Sequence, residues 1–237
     1  MTAKKIHLKL NKRYQSEENT THIDLTNCVN QPNQNNPIHL PSFKFTLPHG
    51  ASWISVAETL PEVIQMDEII FERIWNLHPI EYASGLMFGN HTVFKRWDQS
   101  YGLDYWYAGK LHKGQPIEDP FLQSLLQWVC DHSGKEYFAM LINWYENGNH
   151  YIGYHSDFEK SIVPNSSIYS FSYGQERDFL IKSKDKTYKQ KIQMKNGSLI
   201  IMGGEMQKYY KHSVPKRALS KCPRRRINIT LRLFKTE

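Results

Sequence analysis

Cysteine is scarce: Cys28, Cys130 and Cys222 are the only three in 237 residues. The number is odd and the spacing is not that of a metal knuckle, so neither a disulfide framework nor a thiolate metal site is expected, and a reducing compartment is. Runs of 18 or more apolar residues are missing, and no apolar stretch follows the basic start at Lys4-Lys5. The expectation is a soluble, intracellular protein with no membrane span, no secretory leader and no membrane partner. Acidic residues are outnumbered, 23 against 30 Lys and Arg, for a formal charge of +7. Such a balance suits a polyanion such as nucleic acid, but by itself it sets no function. Internal repeats are absent too, and the length suits one sizeable core, so a single folded domain is expected; a monomer is the accompanying expectation.

Residues 1–50 are polar, with Asn and Gln crowded between Asn27 and Asn36, and read as a flexible arm; residues 51–237 read as the domain. From Asp67, a candidate N-cap, apolar residues recur at helical spacing through Ile70, Phe71, Ile74 and Trp75. A second helix is framed by Asp119-Pro120 at its start and Gly134 at its end. Beyond residue 136 the pattern changes to short strands over 137–145, 167–173, 177–181, 187–193, 198–202, 208–213 and 225–234, broken by Gly, Pro and Asn. Many short strands imply a sandwich or barrel, mainly β with flanking α.

Two patterns carry chemistry. In His155-Ser156-Asp157 the imidazole and the carboxylate lie on one face of an extended strand. With a second His from a neighbouring strand, such as His212, they would make the two-His, one-carboxylate triad that leaves open positions on Fe(II); the plain alternative is solvated loop residues. In Arg226-Ile227-Asn228-Ile229-Thr230-Leu231-Arg232, polar and apolar residues alternate strictly, which makes a strand with one wet and one dry face. Such a strand is either an edge with its basic face in water or a carrier of two guanidinium forks for a dicarboxylate.

Asn143-x-Tyr145, His155-x-Asp157, His212 and Arg226-x-Asn228-x-Thr230-x-Arg232, in this order, resemble the AlkB family of Fe(II)/2-oxoglutarate nucleic-acid dealkylating dioxygenases over roughly residues 55–235. The likeness continues through Ala139–Tyr145, Ser170–Gly174, Arg177-Asp178-Phe179 and Gly197–Met202. It implies a double-stranded β-helix, or jelly roll, with outer helices and a nucleotide-recognition lid. It implies that His155, Asp157 and His212 ligate Fe(II). It also implies that 2-oxoglutarate and O2 take the open positions, with Arg226 and Tyr145 at the far carboxylate, Arg232 and Asn143 near the metal-bound end, and Asn228 and Thr230 shaping the pocket. The activity implied is oxidative removal of alkyl groups from bases such as 1-methyladenine and 3-methylcytosine, coupled to decarboxylation of the cosubstrate to succinate, with release of an aldehyde. DNA is favoured over RNA as partner; an RNA demethylase, or a protein or small-molecule hydroxylase on the same fold, is the alternative.

The lid is placed at about 85–110. Its Val93-Phe94 and Tyr105-x-Tyr107 are similar to the branch of the family that repairs duplex DNA, where an apolar pair wedges into the base stack and aromatics hold the flipped base. From composition alone, core is the favoured reading of these aromatics. Glu159 stands where the family has an acid that reads the base. The chain departs from that branch in a shorter stretch between Phe94 and Tyr105, and in Phe158 at the place of a second acid.

Overall fold

The computed structural model describes residue 40 and residues 42–235 except 88, 89, 108 and 109, with the backbone alone at 86, 87, 91, 105–107, 110 and 112. In chain order the elements are β1 (Phe43–Thr46), β2 (Ser52–Ala57), α1 (Glu68–Trp75), β3 (Ser84–Met87), β4 (Asn90–Val93), β5 (Trp97–Tyr101), β6 (Tyr105–Tyr107) and β7 (Lys110–His112). There follow α2 (Pro120–Ser133), β8 (Met140–Tyr145), β9 (Ile152–His155), β10 (Ile168–Gly174), β11 (Arg177–Ser183), β12 (Lys189–Met194) and β13 (Ser198–Gly204). The helical turn α3 (Met206–Tyr209), β14 (Tyr210–Val214) and β15 (Arg226–Leu231) complete the order.

Both helices start as their caps dictate. Asp67 accepts the amide of Ile70 at 2.7 Å, and Asp119 accepts that of Phe121 at 2.8 Å ahead of Pro120. Each such cap is worth about 1 kcal/mol. Gly134 ends α2 at φ +63°, the left-handed conformation that favours glycine.

The strands form a jelly roll of two antiparallel sheets, a major one in the order β1-β2-β13-β10-β15-β8-β5 and a minor one in the order β12-β11-β14-β9. The hairpins β3–β4 and β6–β7 pair only within themselves among the described residues. Alternation assigns the two faces of the major sheet. Ile142, Trp144, Phe171, Tyr173, Ile227 and Ile229 pack with Leu122, Leu125 and Ile74 of the helices in one core. Trp144 Nε1 donates to the carbonyl of Ile74 at 2.9 Å, which ties α1 to the sheet. A second core lies between the sheets, where Ile54, Ile200 and Met202 meet Phe179, Ile181 and Val214.

Four expectations change. Strand β15 lies between β10 and β8 and is buried on both faces, so its polar face is the lining of the barrel and not a wet edge. Residues 43–46 form a strand of the major sheet, so this part of the 1–50 segment is not an arm; residues 1–39 and 41 lie outside the described residues. Residues 97–101, placed in the lid, are β5, the edge strand paired to β8. Residues 206–209, where the strand expected over 208–213 begins, make a helical turn, which Lys208 braces by its 2.9 Å contact with Glu205.

Candidate active site

Antiparallel pairing of β9 with β14 sets His155 opposite His212, with ring centroids 4.2 Å apart. Asp157 follows β9, and its Oδ1 lies 3.6 Å from His155 Nε2. One candidate ligand atom from each of the three lies within 4.8 Å of the others. His155 Nδ1 is bonded to the carbonyl of Gly153 at 2.9 Å. Donating there fixes the tautomer and turns Nε2 towards the cluster. Burial pushes the His212 pKa down to about 3 and that of His155 down as well. Both rings are therefore neutral at pH 7, the form that ligates a metal. Burial also opposes ionisation of Asp157, but Arg232, His212 and His155 outweigh it and hold the carboxyl well below its usual range. Arg232 Nη2 lies 3.1 Å from Asp157 Oδ1, and Gln207 accepts the Asp157 amide at 3.0 Å.

The facing wall is the inner row of β15. Register puts Arg226 opposite Tyr145 and Asn228 opposite Asn143. Arg226 is 2% exposed, its guanidinium 5.0 Å from the Tyr145 ring, and burial lowers its pKa to about 10, still charged at pH 7. Its Nη2 donates to Ser172 Oγ at 2.8 Å, whereas Nε and Nη1 have no hydrogen-bond partner among the described residues. Asn228 is anchored to Ser170 Oγ and the carbonyl of Phe171, and receives the Thr230 hydroxyl at 3.3 Å.

A metal triad facing a buried, half-satisfied guanidinium is the arrangement of an iron enzyme with an anionic cosubstrate, and the comparisons agree. Residues 75–232 match the model of the 2OG-Fe(II) oxygenase superfamily. DNA oxidative demethylase ALKBH2 of Mus musculus is 31% identical over 65% of this chain and 70% of its own length. The Arabidopsis thaliana protein of the same name is 29% identical over 94% and 79%. Alpha-ketoglutarate-dependent dioxygenase alkB homolog 3 of Homo sapiens is 33% identical over 78% and 67%. The chain belongs to the AlkB family. The solved structure of OsALKBH1 shares the fold, with a TM-score of 0.52 at 16% identity over 76% of this chain and 96% of that one. As a member, the protein is a dioxygenase that uses Fe(II), 2-oxoglutarate and O2.

The residues fit those groups. Two neutral imidazoles and a carboxylate are a donor set for Fe(II). The unpartnered Nε and Nη1 of Arg226 supply what a far carboxylate requires, since a buried charged donor without a partner is costly. Bound Fe(II) with 2-oxoglutarate and O2 supplies the oxidising chemistry, while the protein orients and excludes water.

Of the residues that the resemblance assigns to the substrate, Val93, Phe94 and Glu159 have described side chains. Val93 is 48% exposed at the end of β4, but Phe94 is 6% exposed, with the Arg96 guanidinium 5.3 Å from its ring. Phe94 is thus buried in this structure. The side chains of Tyr105 and Tyr107 lie outside the described residues. Glu159 is half-buried on a second cleft beside Asp157, not on the chamber between the sheets. Conversely, sequence reading passed over Arg96, which donates from Nε to Asn143 Oδ1 at 2.6 Å and pairs with Asp98 at 3.2 Å, all three buried. Its signal was Arg96-x-Asp98, two opposite charges on one strand face.

Among the described residues, no helix is long and apolar enough to cross a membrane.

Proposed function

We propose that this enzyme oxidatively removes alkyl groups from nucleic-acid bases, with 1-methyladenine and 3-methylcytosine in DNA as substrates, and that it acts as a monomer. The observation that carries the oxidative step is the His155–Asp157–His212 cluster set against the buried Arg226. Arg226 and Tyr145 would hold the far carboxylate of 2-oxoglutarate, Arg232 and Asn143 would face its metal-bound end, and Asn228 and Thr230 would shape the space between. The choice of DNA is supported by the name of the mouse and Arabidopsis relatives, and the charge of +7 favours a polyanion. Val93, Tyr105 and Tyr107 would contact the reacting base, and Glu159, on the adjoining cleft, would face the nucleotide beside it; the burial of Phe94 in this structure gives no support to a duplex over a single strand. The test is mass spectrometry of single- and double-stranded DNA and RNA oligomers bearing either lesion, incubated with protein, Fe(II), 2-oxoglutarate and oxygen. Loss of the methyl mass from DNA with formation of succinate is expected. Faster turnover of RNA would reassign the substrate, through contacts to the 2′-hydroxyl. Succinate formation with no change in any oligomer would sink the nucleic-acid reading in favour of a protein or small-molecule hydroxylase.

A further inference from the structure

A second cleft, of about 300 Å3, opens beside the metal triad, and Asp157 forms part of the wall of both. Its floor is apolar, built from Ile162, Val163 and Pro164 on the loop after Asp157 and Ile168 at the start of β10. Its rim carries Lys160, Lys208 and Lys235, with the half-buried Glu159 beside them. Lys208 is held by Glu205 at 2.9 Å. Lys160 and Lys235 have no acidic partner among the described residues; Lys235 Nζ instead donates to the carbonyl of Lys160 at 2.7 Å, which keeps the two close. Phe158 lines the same cleft, is 66% exposed, and has Lys184 Nζ 5.4 Å from its ring.

A volume of that size suits a small-molecule-sized body. An apolar floor and an exposed aromatic ask for a flat ring, while two uncompensated ammonium groups ask for an anion. A nucleotide has both. We infer that the cleft seats the nucleotide next to the reacting one on a single strand, its base against Phe158 and the floor, its phosphates against Lys160 and Lys235. This rests on the nucleic-acid reading above. A free nucleotide offers the same chemistry, and the test separates the two.

Fluorescence anisotropy of the full chain without metal, with a short labelled single-stranded DNA over a range of salt, reads the cleft without turnover. Reversing both lysines (Lys160→Glu with Lys235→Glu) is expected to weaken binding about tenfold or more and to reduce the salt slope by about 1.4, two phosphate contacts on a single strand. Phe158→Ala is expected to cost about fivefold or more at every salt concentration, as loss of a stacking partner does. Unchanged affinity and slope would overturn the inference. So would an effect of the lysines with none from Phe158→Ala, which reduces the cleft to a general phosphate contact. Displacement of the strand by AMP with comparable affinity would overturn it in favour of a free nucleotide. If the variants lose binding but no oligomer is ever demethylated, the cleft stands and the proposed activity falls; demethylation with binding untouched in the variants gives the reverse.

Discussion

Arg96 and Asn143 are joined by a 2.6 Å hydrogen bond from Nε to Oδ1, and the same guanidinium pairs with Asp98 and lies over Phe94. Asp98 and Asn143 are register partners of β5 and β8, and Asn143 lines the chamber that holds the metal triad. One buried cation thus ties the chain leaving the β3–β4 hairpin to the wall of the active site.

Arg96→Ala should destabilise the fold by about 3–5 kcal/mol, because it removes one partner of a buried ion pair. Replacing the pair together, Arg96→Leu with Asp98→Leu, should recover most of that stability but not the affinity for 2-oxoglutarate, since the Asn143 amide stays unanchored. Thermal melts and cosubstrate titration measure the two effects. Wild-type affinity in the double variant would make Arg96 purely structural.

Arg226→Lys keeps the charge but loses the two-pronged geometry. Affinity for 2-oxoglutarate should fall about ten- to a hundredfold, the cost of lost hydrogen bonds to a charged group. Calorimetric titration checks this, and an unchanged Kd would place Arg226 outside the cosubstrate site.

Asp157 is buried against Arg232, so its truncation tests two things at once. Asp157→Ala should abolish metal binding and also destabilise the fold by leaving the Arg232 charge without that carboxylate. Asp157→Asn, which can still accept from Arg232, should lose most metal affinity with a smaller drop in Tm. Equal metal binding by Asp157→Asn and the wild type would contradict the ligand assignment.

Phe94→Ala should cost about 3–5 kcal/mol, as removal of a buried aromatic does. Turnover of single-stranded and duplex substrates should fall together. A loss confined to duplex substrate at unchanged Tm would show that Phe94 leaves its buried position to act as a wedge.

His132, in the last turn of α2, stacks on Trp128 at 4.8 Å and meets the Tyr169 hydroxyl at 3.0 Å. Burial lowers its pKa from the ordinary 6.5. The folded state therefore binds this proton less readily than the unfolded chain, so stability is lost as the pH falls below about 6.5. Melting curves between about pH 8 and pH 5 should show a shallower decline in His132→Gln than in the wild type. An identical slope would mean that His132 takes up its proton equally in both states.

Much of the site was legible because period-2 and period-3.6 patterns are local. His155-x-Asp157 and Arg226-x-Asn228-x-Thr230-x-Arg232 are each carried on one face by backbone geometry alone, and the caps at Asp67 and Asp119 act within three residues. Pattern says which side chains share a face; it does not say what covers that face. The polar side of β15 was as consistent with water as with a barrel interior until β10, β8 and the minor sheet enclosed it. Strand β5 was read as lid because an aromatic, charged stretch becomes an edge strand only through its pairing with β8, more than thirty residues downstream. Only tertiary packing decided the burial of Phe94, the turning of Glu159 to a second cleft and the anchoring of Asn143 by Arg96. Each depends on contacts between segments distant in the chain, whose formation is governed by how the sheets and loops exclude water around them and not by the residues' own neighbours in sequence.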